Sequence, residues 1–462
     1  MTPGYSSAVK TITISQLAEW CDGKLLQGRP ADVCASVSTD SRTLGEGSVF
    51  VALKGERYDG HDFIKTAAER RAGVLVASQL TAETVRFPGA IVHVRDTLVA
   101  LQMLAWRYRQ FRKDVFVVGV TGSSGKTSTK DLLAAVLSRR HRVNATKGNL
   151  NNHIGLPLTV LATEWADTCG VWEMGMNHPG EIEVLAEIAA PDAAVITNIG
   201  VAHLEHMGSR EAIALEKGML VESIRSDGVV VLPAADDFAS SLRARSQAPV
   251  LTVGINDGEV RAENLRQGGS GMLFDLVSEH GRVSVELPLL GEHMVVNALL
   301  ASAIALNQGI SGEEIAAGLS SVQIAGGRLQ RKMAGGLALI DDTYNANPDS
   351  MRAALATLST LECHGRRIAL LGRMAELGEH AESAHRDIGR AAAAAGISLV
   401  LTVGAEAALI AEAAASAGTE SLSFADHEEA AAWLKAEASR DDVILLKGSR
   451  SAAMEKIIEA LG

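Results

Sequence analysis

The 462-residue sequence has few cysteines, and they are scattered along the chain. The four are Cys21, Cys34, Cys169 and Cys363, with no CxxC pair and no spacing typical of a metal site. This distribution argues against a disulfide framework and against a structural zinc site. We therefore expect buried free thiols in a reducing compartment.

Long apolar runs and a targeting segment are also missing. No uninterrupted apolar run reaches about 18 residues, the length needed to cross a bilayer as a helix. The first 15 residues, MTPGYSSAVKTITIS, lack a basic segment followed by an apolar one. From these two absences we expect a cytoplasmic protein without membrane insertion.

The chain has no excess of positive charge. It carries 43 Lys and Arg against 55 Asp and Glu, a formal net charge of −12. This balance gives no reason to expect binding to nucleic acid or to an anionic membrane surface. An anionic substrate must therefore be held by a local cluster of positive groups.

What the chain does have is the composition of a well-packed α/β protein. Hydrophobic residues make up 47% and charged residues 21%, and strand-like runs alternate with Ala- and Leu-rich helical stretches. No internal repeat is present. A chain of this length suggests about three domains of roughly 150 residues each. A first α/β unit ends near residue 95, and the Gly-rich turn IAGGRLQRKMAGG marks a hinge near residue 327. We predict domains at 1–95, 96–327 and 328–462.

The stretch VGVTGSSGKTSTKDLL, residues 118–133, is similar to a phosphate-binding loop but departs from its usual form. The pattern GxxxxGK[ST] requires glycine where Val120 stands. A buried strand, a tight turn and a helix with free backbone N–H groups are nevertheless enough to bind an anion. Lys126 supplies mobile positive charge and Thr127 an oxygen for Mg²⁺. We therefore predict a nucleotide site rather than an ordinary Gly/Ser loop, formed by Gly122, Ser123, Ser124, Gly125, Lys126, Thr127 and Ser128.

Two further residues are candidates for holding a metal ion beside this loop. Glu173 ends the strand GVWEMG, and His203 lies just beyond the strand AAVITNIG. Open parallel sheets bind ligands at the carboxyl ends of their strands. Mg²⁺ prefers oxygen ligands, so Glu173 is the natural choice and His203 an unusual one. Alternatively, Glu173 caps a turn and His203 is a hydrogen-bonded structural histidine.

Several motifs together resemble one family. TGSSGKTS is similar to the TGxxGKT[ST] loop of the Mur ligases, the ATP-dependent amino-acid-adding enzymes of peptidoglycan synthesis. KGNLNNHIGLPLTVL, EMGMNHPGEIEVLAEIAAPDAAVITNIGVAHLEHMGS and DDTYNANPDSM resemble the branch that adds D-alanyl-D-alanine to UDP-N-acetylmuramoyl-tripeptide. The resemblance runs in order from about residue 36 to LLKGSRSAAMEKII near the C-terminus.

The resemblance implies a fold and a reaction. It implies three domains: a small N-terminal α/β domain for the UDP end of the acceptor, a central P-loop ATPase-type parallel sheet, and a C-terminal Rossmann-like parallel sheet. The last would help to bind the dipeptide and close over the nucleotide. The implied activity is ATP-dependent ligation through an acyl phosphate, with two Mg²⁺ ions, by a monomer.

The resemblance also implies roles for individual residues. Acceptor contacts are expected from Ser41, Arg42, Asn151, Asn152 and His153; nucleotide contacts from Asn297, Arg328 and Asp342; and nucleotide or dipeptide contacts from Tyr344, Asn345 and Asn347. His293 is expected nearby. Two alternatives stay open: Arg42 could form a surface ion pair, and Asn347, which precedes Pro348, could shape a turn.

Lys217, in EAIALEKGML, matches a family position at which a lysine is carbamylated by CO₂ to become a metal ligand. We therefore expect Lys126, Glu173, His203 and Lys217 to be catalytic, and Thr127, Glu173, His203 and Lys217 to bind metal. The alternative for Lys217 is a lysine on a helix surface. Three departures from the family pattern, Val201, Met219 and Arg373, affect the metal site and the amine-binding region.

Two other classes of function remain to be weighed. The first is a sister ligase that adds a single amino acid, or a folate polyglutamate synthetase. DDTYNANPDS argues against both, since the diaminopimelate- or lysine-adding sister usually has DDYAHxP there. The second is a nucleotide-dependent switch or an inactive binding protein on this scaffold. The joint presence of the five candidate catalytic and metal residues argues against this second class.

Overall fold

A computed structural model describes residues 12–55, 57–269 and 271–462. Residues 1–11, which carry most of the stretch used to judge the targeting segment, lie outside the described residues. Three sheets follow one another along the chain and span residues 24–93, 116–287 and 330–447. Among the described residues, no helix combines the length and the apolar character needed to cross a bilayer.

The first sheet has five strands in the order β1-β5-β4-β3-β2, and only the β1–β5 pair is antiparallel. The strands are β1 (Lys24–Gln27), β2 (Val37–Ser38), β3 (Val49–Val51), β4 (Val74–Ala77) and β5 (Ala90–His93). The helices are α1 (Ile14–Trp20), α2 (Ile64–Glu69), α3 (Ala82–Val85) and α4 (Thr97–Phe111), with a 3-10 turn at Gly60–Phe63. Asp96 caps α4 by accepting hydrogen bonds from the backbone N–H groups of Leu98 and Val99. This helix leads directly into the second sheet.

The second sheet has nine strands in the order β14-β13-β12-β11-β10-β9-β6-β8-β7. The strands are β6 (Phe116–Thr121), β7 (Val143–Ala145), β8 (Cys169–Glu173), β9 (Ala193–Ile196), β10 (Val229–Pro233), β11 (Val250–Ile255), β12 (Val260–Gln267), β13 (Met272–Ser278) and β14 (Gly281–Leu287). The helices are α5 (Lys126–Leu137), α6 (Gly155–Leu161), α7 (Glu181–Ala189), α8 (Leu204–Met207), α9 (Arg210–Glu222), α10 (Ala239–Arg245), α11 (Glu292–Asn307) and α12 (Gly312–Ser320). All pairings are parallel except those of β13 with β12 and β14.

The third sheet has six strands in the order β15-β16-β20-β17-β18-β19, with only the β15–β16 pair antiparallel. The strands are β15 (Gln330–Ala334), β16 (Leu337–Asp342), β17 (Arg367–Leu371), β18 (Leu399–Val403), β19 (Glu420–Phe424) and β20 (Val443–Lys447). The helices are α13 (Pro348–Thr360), α14 (Ala381–Ala394), α15 (Ala405–Ser416), α16 (His427–Glu437) and α17 (Glu455–Leu461), with 3-10 turns at Gly378–His380 and Arg450–Ala452. The fold class predicted from the sequence is confirmed.

Buried apolar side chains join neighbouring parts of the fold. One cluster extends from α11, with Leu299, to α13 and α14, with Leu355 and Ile388. Another joins Leu101 of α4 to Trp172 of β8. Burying a leucine fully contributes about 2 kcal/mol, so these clusters hold the second sheet against both neighbours.

The four cysteines are free, as the sequence predicts. Cys21, Cys34 and Cys169 are buried, and this burial raises the pKa of each thiol to about 12. Cys363 is only half-buried, because it lies in the turn between α13 and β17. The three buried thiols are therefore un-ionised and inert at neutral pH.

Candidate functional site

A cavity of about 550 Å³ lies where the carboxyl ends of strands in the second and third sheets face each other. It receives residues from both sheets and from the loops that follow their strands. The predicted site residues that line it are Ser123, Ser124, Gly125, Lys126, Thr127, Ser128, Asn151, Asn152, His153, Glu173, His203, Asn297, Arg328, Asp342, Tyr344, Asn345 and Asn347. Gly122, Lys217, Ser41 and Arg42 do not line it. Most of the residues predicted from seven separate segments of the sequence therefore meet at one place.

The phosphate-binding loop leaves β6 through two turns that each have a glycine with positive φ. Gly122 has φ +152°, and a Cβ atom there would lie 1.8 Å from the hydroxyl oxygen of Thr197. Gly125 has φ +79° and stands at the N-terminus of α5. Both positions therefore require glycine. The free N–H groups of the first turn of α5 open towards the cavity, an arrangement that binds phosphate.

Val120 explains why the first glycine of the usual motif is absent. It lies inside β6, fully buried, and pairs in register with Glu173 of β8 and Val195 of β9. A branched apolar residue suits a buried central strand. The loop of this chain therefore begins after Thr121 and is closed by Gly122 rather than by a glycine at position 120.

Lys126 opens α5 and is held close to the loop. Its Nζ donates a hydrogen bond of 2.7 Å to the carbonyl oxygen of Gly122. Burial lowers the pKa of Lys126, and the nearby Glu173 carboxylate opposes this change. The amine is thus positioned where a phosphate oxygen could replace the carbonyl as its partner.

Glu173 lies at the end of β8, directly beside Thr127. The Thr127 hydroxyl donates a hydrogen bond of 3.2 Å to Oε2 of Glu173, whereas Oε1 is buried without a hydrogen-bond partner among the described residues. Burial raises the pKa of Glu173, and the charges of Lys130 and Lys126 oppose the rise. An unpartnered buried carboxylate oxygen next to a hydroxyl is an arrangement that a divalent cation would satisfy.

Lys130 is a functional candidate that the sequence reasoning missed. Its buried Nζ donates a hydrogen bond of 3.1 Å to the carbonyl oxygen of Thr146 and lies 2.6 Å from Asp131. It supplies the largest favourable charge acting on Glu173. The sequence feature that could have indicated Lys130 is its position on α5 one turn after Lys126, which brings both lysines to the same helix face.

His203 begins α8 with a left-handed backbone, φ +63°. Its Nδ1 lies 2.6 Å from Oε2 of Glu376, which follows β17 in the third sheet. This contact, more than any other, holds the pKa of Glu376 below its usual range. Within the described residues, no three His, Cys, Asp or Glu side chains surround a common point as a preformed metal cluster.

Lys217 lies on α9 and is completely buried, which rules out the alternative of a surface lysine. Its Nζ has no hydrogen-bond partner among the described residues. Burial, followed by the charge of Lys126, lowers the pKa of Lys217 far below its usual value. Burial therefore favours the neutral form of this amine.

The three departures from the family pattern have definite surroundings. The N–H of Val201 donates a hydrogen bond of 2.9 Å to Asp349, and Met219 Sδ lies 3.5 Å from the Arg245 guanidinium. Arg373 lies 2.5 Å from Glu406 and does not line the cavity. None of the three side chains takes part in the Thr127–Glu173 pair.

The side of the cavity formed by α11 and the third sheet holds Asn297 and Arg328. Asn297 packs against Gly125, where a Cβ atom would lie 3.0 Å from its side-chain oxygen. The Arg328 guanidinium stacks over the Tyr344 ring at 4.0 Å. Burial lowers the pKa of the neighbouring His293 to about 4, so that this imidazole is neutral at pH 7.

Asp342 is neutralised by a lysine that was not singled out from the sequence. Lys447, at the end of β20, lies 2.6 Å from Asp342 and donates a hydrogen bond of 2.9 Å to the carbonyl oxygen of Asn345. The sequence feature that could have indicated Lys447 is the strand LLKGSR, whose carboxyl end lies beside that of β16. Lys447 adds positive charge to the cavity wall.

Asn347 performs the turn-forming role that was the alternative in the sequence, and it also lines the cavity. Its Oδ1 accepts a hydrogen bond of 2.9 Å from the Ser350 N–H, which caps α13 with Pro348 at the first helical position. Its Nδ2 donates a hydrogen bond of 3.3 Å to the carbonyl oxygen of Ser123.

The acceptor residues proposed from the sequence fall into two groups. Asn152 and His153 line the cavity, and Asn152 Oδ1 accepts hydrogen bonds from the N–H groups before and at the start of α6. Ser41 and Arg42 lie in the first α/β unit. Arg42 is 85% exposed and bonded to Asp40 at 2.7 Å, which is the surface ion pair named as its alternative.

Comparison with known proteins places this geometry in a family. Three family models match in succession: "Mur ligase family, catalytic domain" at residues 34–109, "Mur ligase middle domain" at 120–305 and "Mur ligase, glutamate ligase domain" at 327–450. The UDP-N-acetylmuramoyl-tripeptide–D-alanyl-D-alanine ligase of Bacillus subtilis (strain 168) is 39% identical over 456 residues, 97% of this chain and 98% of that protein. The chain belongs to the Mur ligase family.

Solved structures support the assignment of this chain to the Mur ligase family. Crystal structure I of MurF from Acinetobacter baumannii matches it with a TM-score of 0.89 and 34% identity, covering 97% of this chain and 98% of that one. MurF from Thermotoga maritima in complex with ADP matches with a TM-score of 0.81 and 29% identity, covering 92% and 96%. The family predicted from the sequence motifs is therefore confirmed.

Proposed function

We propose that this Mur ligase joins D-alanyl-D-alanine to UDP-N-acetylmuramoyl-tripeptide, with ATP as the energy source and an acyl phosphate as the intermediate. The observation that carries the proposal is the cavity in which the phosphate-binding loop faces DDTYNANPDS, residues 341–350. The nearly full-length similarity to ligases named for this reaction supports the same pair of substrates.

The chemistry requires activation of a carboxylate. In the proposed reaction, an oxygen of the acceptor's terminal carboxylate attacks the γ-phosphorus of ATP, so that an acyl phosphate forms and ADP leaves. The dipeptide amine then attacks the acyl carbon, and the carbon–oxygen bond breaks to release phosphate. No protein nucleophile is needed. The protein must position two anions close together and neutralise their charge.

Within this account, Lys126 and the N-terminus of α5 bind the triphosphate. Lys126 exchanges its bond with the Gly122 carbonyl oxygen for a phosphate oxygen. Residues 125–128 donate their N–H groups, since those of Ser123 and Ser124 are bonded to Asn198. Asn297 and Arg328 contact the nucleotide from α11 and the third sheet. Asp342 meets the ribose, while Tyr344, Asn345 and Asn347 lie towards the nucleotide or the dipeptide.

The donor atoms beside the loop fit a divalent cation. Thr127 and Glu173 would hold one Mg²⁺, since Oε1 of Glu173 is buried without a hydrogen bond and the pair offers only oxygen atoms. His203 and Lys217 would hold a second ion. When bound, Mg²⁺ neutralises the charge that develops on the transferred phosphoryl group.

Lys217 meets the chemical requirement for carbamylation. A neutral amine attacks CO₂, which forms a nitrogen–carbon bond and releases one proton. Burial lowers the pKa of Lys217 and so favours that neutral amine, and its Nζ has no competing hydrogen bond among the described residues. The product is an anionic oxygen ligand near Lys126.

We further propose the division of labour among domains 1–95, 96–327 and 328–462. The first unit, with Ser41 and Arg42, binds the uridine end of the acceptor, and Asn151, Asn152 and His153 guide its peptide end to the cavity. Gly327, with φ +76°, lies in the stretch between α12 and β15 and is suited to act as the hinge. The ligase is proposed to work as a monomer, and to act in the cytoplasm because both substrates are water-soluble.

The experiment is phosphate release from ATP with UDP-N-acetylmuramoyl-tripeptide, with D-Ala-D-Ala compared with single L-amino acids and the product identified by mass spectrometry. A pentapeptide product that forms only with the dipeptide is expected. Turnover only with a single amino acid would assign the chain to a sister ligase. No turnover with any pair would favour the nucleotide-dependent switch.

A further inference from the structure

Among the polar contacts that join the parts of the chain around the second and third sheets, one pairs two charged side chains beside the cavity. Nδ1 of His203, after β9, lies 2.6 Å from Oε2 of Glu376, after β17. Both residues have left-handed backbones, with φ +63° for His203 and φ +60° for Glu376. A non-glycine residue in this region costs about 1 kcal/mol or more. The contact therefore joins the side chains of two residues whose backbone conformations are both costly.

The segment that carries Glu376 is fixed from both sides. The N–H of Met374 donates a hydrogen bond of 3.0 Å to Nε2 of the buried His385, and the N–H of Glu205 lies 3.4 Å from the Glu376 carbonyl oxygen. Gly378, with φ +52°, packs directly against Glu205. The Glu376 carboxylate is thus positioned by packing.

The contact determines which nitrogen of His203 is available. Nδ1 is buried against the Glu376 carboxylate, so that Nε2 is the ring nitrogen left for another ligand. His203 lines the cavity, beside Lys126 and Glu173. Metal-binding histidines are commonly oriented by a carboxylate on the other ring nitrogen.

Two carboxylates that the third sheet brings to the cavity wall have different partners. Asp342 is paired with Lys447 at 2.6 Å, and Asp349 accepts a hydrogen bond from the N–H of Val201. Both line the cavity but are committed to holding the protein together. Glu376 lies outside the residues that line the cavity and instead meets a candidate metal ligand, His203.

We propose that Glu376 is a positioning residue that orients His203 so that Nε2 can bind the second divalent cation. The inference rests on the proposed function, which places that cation near His203. Because the two residues come from different sheets, the cation site is complete only while the third sheet is docked as it is here. Docking and affinity for the second cation are therefore linked.

The test is Mn²⁺ binding in the presence of ADP, measured by electron paramagnetic resonance on the full-length protein. The wild type should bind two ions. Glu376→Gln should weaken the second ion by at least about tenfold and leave the first unchanged, the usual size of effect for a carboxylate behind a metal ligand. Glu379→Gln is the matched control, because its side chain is 91% exposed in the same segment.

A double-mutant cycle separates positioning from other roles. In a His203→Ala background, Glu376→Gln should cause no further loss of Mn²⁺ affinity, because both act through one ligand. Glu376→Asn, which tolerates the left-handed backbone but is too short to reach His203, should reproduce Glu376→Gln. Thermal unfolding then verifies that each variant is folded.

Three results would overturn the inference: a single Mn²⁺ ion in the wild type, unchanged affinity in Glu376→Gln, or a raised KM for the dipeptide as the variant's only defect. The outcome is separable from that of the proposed function. If two ions bind with an affinity that depends on Glu376 but no pentapeptide product forms, the proposed function is contradicted and this inference stands. If the wild type forms the pentapeptide and Glu376→Gln binds Mn²⁺ with unchanged affinity, this inference is contradicted and the proposed function stands.

Discussion

The side-chain amide of Asn347 donates a hydrogen bond of 3.3 Å to the carbonyl oxygen of Ser123, in the phosphate-binding loop. The same side chain caps α13 through a hydrogen bond of 2.9 Å from the Ser350 N–H. One residue therefore both begins a helix that packs on the third sheet and contacts the nucleotide site of the second.

Two substitutions separate these roles of Asn347. Asn347→Ala should lower the free energy of unfolding by about 1 kcal/mol, since the cap is lost, and raise the KM for ATP several-fold. Asn347→Ser retains a capping oxygen but cannot reach Ser123, so its stability should match the wild type while the KM remains raised. Urea unfolding and steady-state kinetics check both. A serine variant with wild-type kinetics would show that the contact with Ser123 has no functional role.

Lys217→Met should stabilise the protein while abolishing ligation. The folded-state pKa of Lys217 lies well below 10.5, so the unfolded chain binds more protons at pH values between the two. The free energy of unfolding of the wild type therefore rises with pH across that window. Methionine removes the penalty of the buried amine and should add about 1–2 kcal/mol at pH 7. Unfolding in CO₂-depleted buffer at pH 7 and 9 measures this; a variant less stable than the wild type would contradict it.

His293 should make stability depend on pH below neutrality. Burial lowers its pKa to about 4, against 6.5 for a free imidazole. The unfolded chain therefore binds more protons between these values, and stability should fall as the pH falls from about 6.5 to about 4. The loss attributable to His293 is about 1–2 kcal/mol, since the ring is only half-buried. His293→Gln should flatten this part of the unfolding profile; an unchanged slope would show that another group titrates there.

Lys126→Ala should abolish ATP turnover, by about a thousandfold or more, and leave the protein folded. The lysine is half-buried, and its only hydrogen bond within the described residues is to the Gly122 carbonyl oxygen, so its loss removes little stabilising contact. Lys435→Ala, on the exposed face of α16, is the control for loss of one positive charge. Phosphate release and circular dichroism are the measurements. Retained turnover would refute the phosphate-loop assignment.

Much of the cavity could be predicted because its residues belong to short contiguous motifs. TGSSGKTS and DDTYNANPDS each place several polar groups at the end of a buried strand, and parallel strands present those ends on one side of a sheet. Asn347 shows the limit: its local sequence indicated a turn, and only the placement of the start of α13 beside the phosphate-binding loop reveals the bond to Ser123.

Partners from distant segments could not be predicted in the same way. Lys447 neutralises Asp342 from a strand more than 100 positions away in the sequence, and Glu376 reaches His203 across two sheets. Each is an ordinary charged residue in its own segment. Likewise, nothing in EAIALEKGML shows that Lys217 is buried, since the surrounding Glu and Gly residues suit an exposed helix equally well.

The most direct measurement follows an oxygen atom through the reaction. The terminal carboxylate of the tripeptide acceptor is labelled with ¹⁸O, and ATP, D-Ala-D-Ala and the wild-type enzyme are added. If the carboxylate attacks ATP and the acyl carbon–oxygen bond then breaks, one labelled oxygen must leave with each phosphate. We expect ¹⁸O in the released phosphate and a new amide bond in the product. Unlabelled phosphate formed together with ligated product would contradict the acyl-phosphate account.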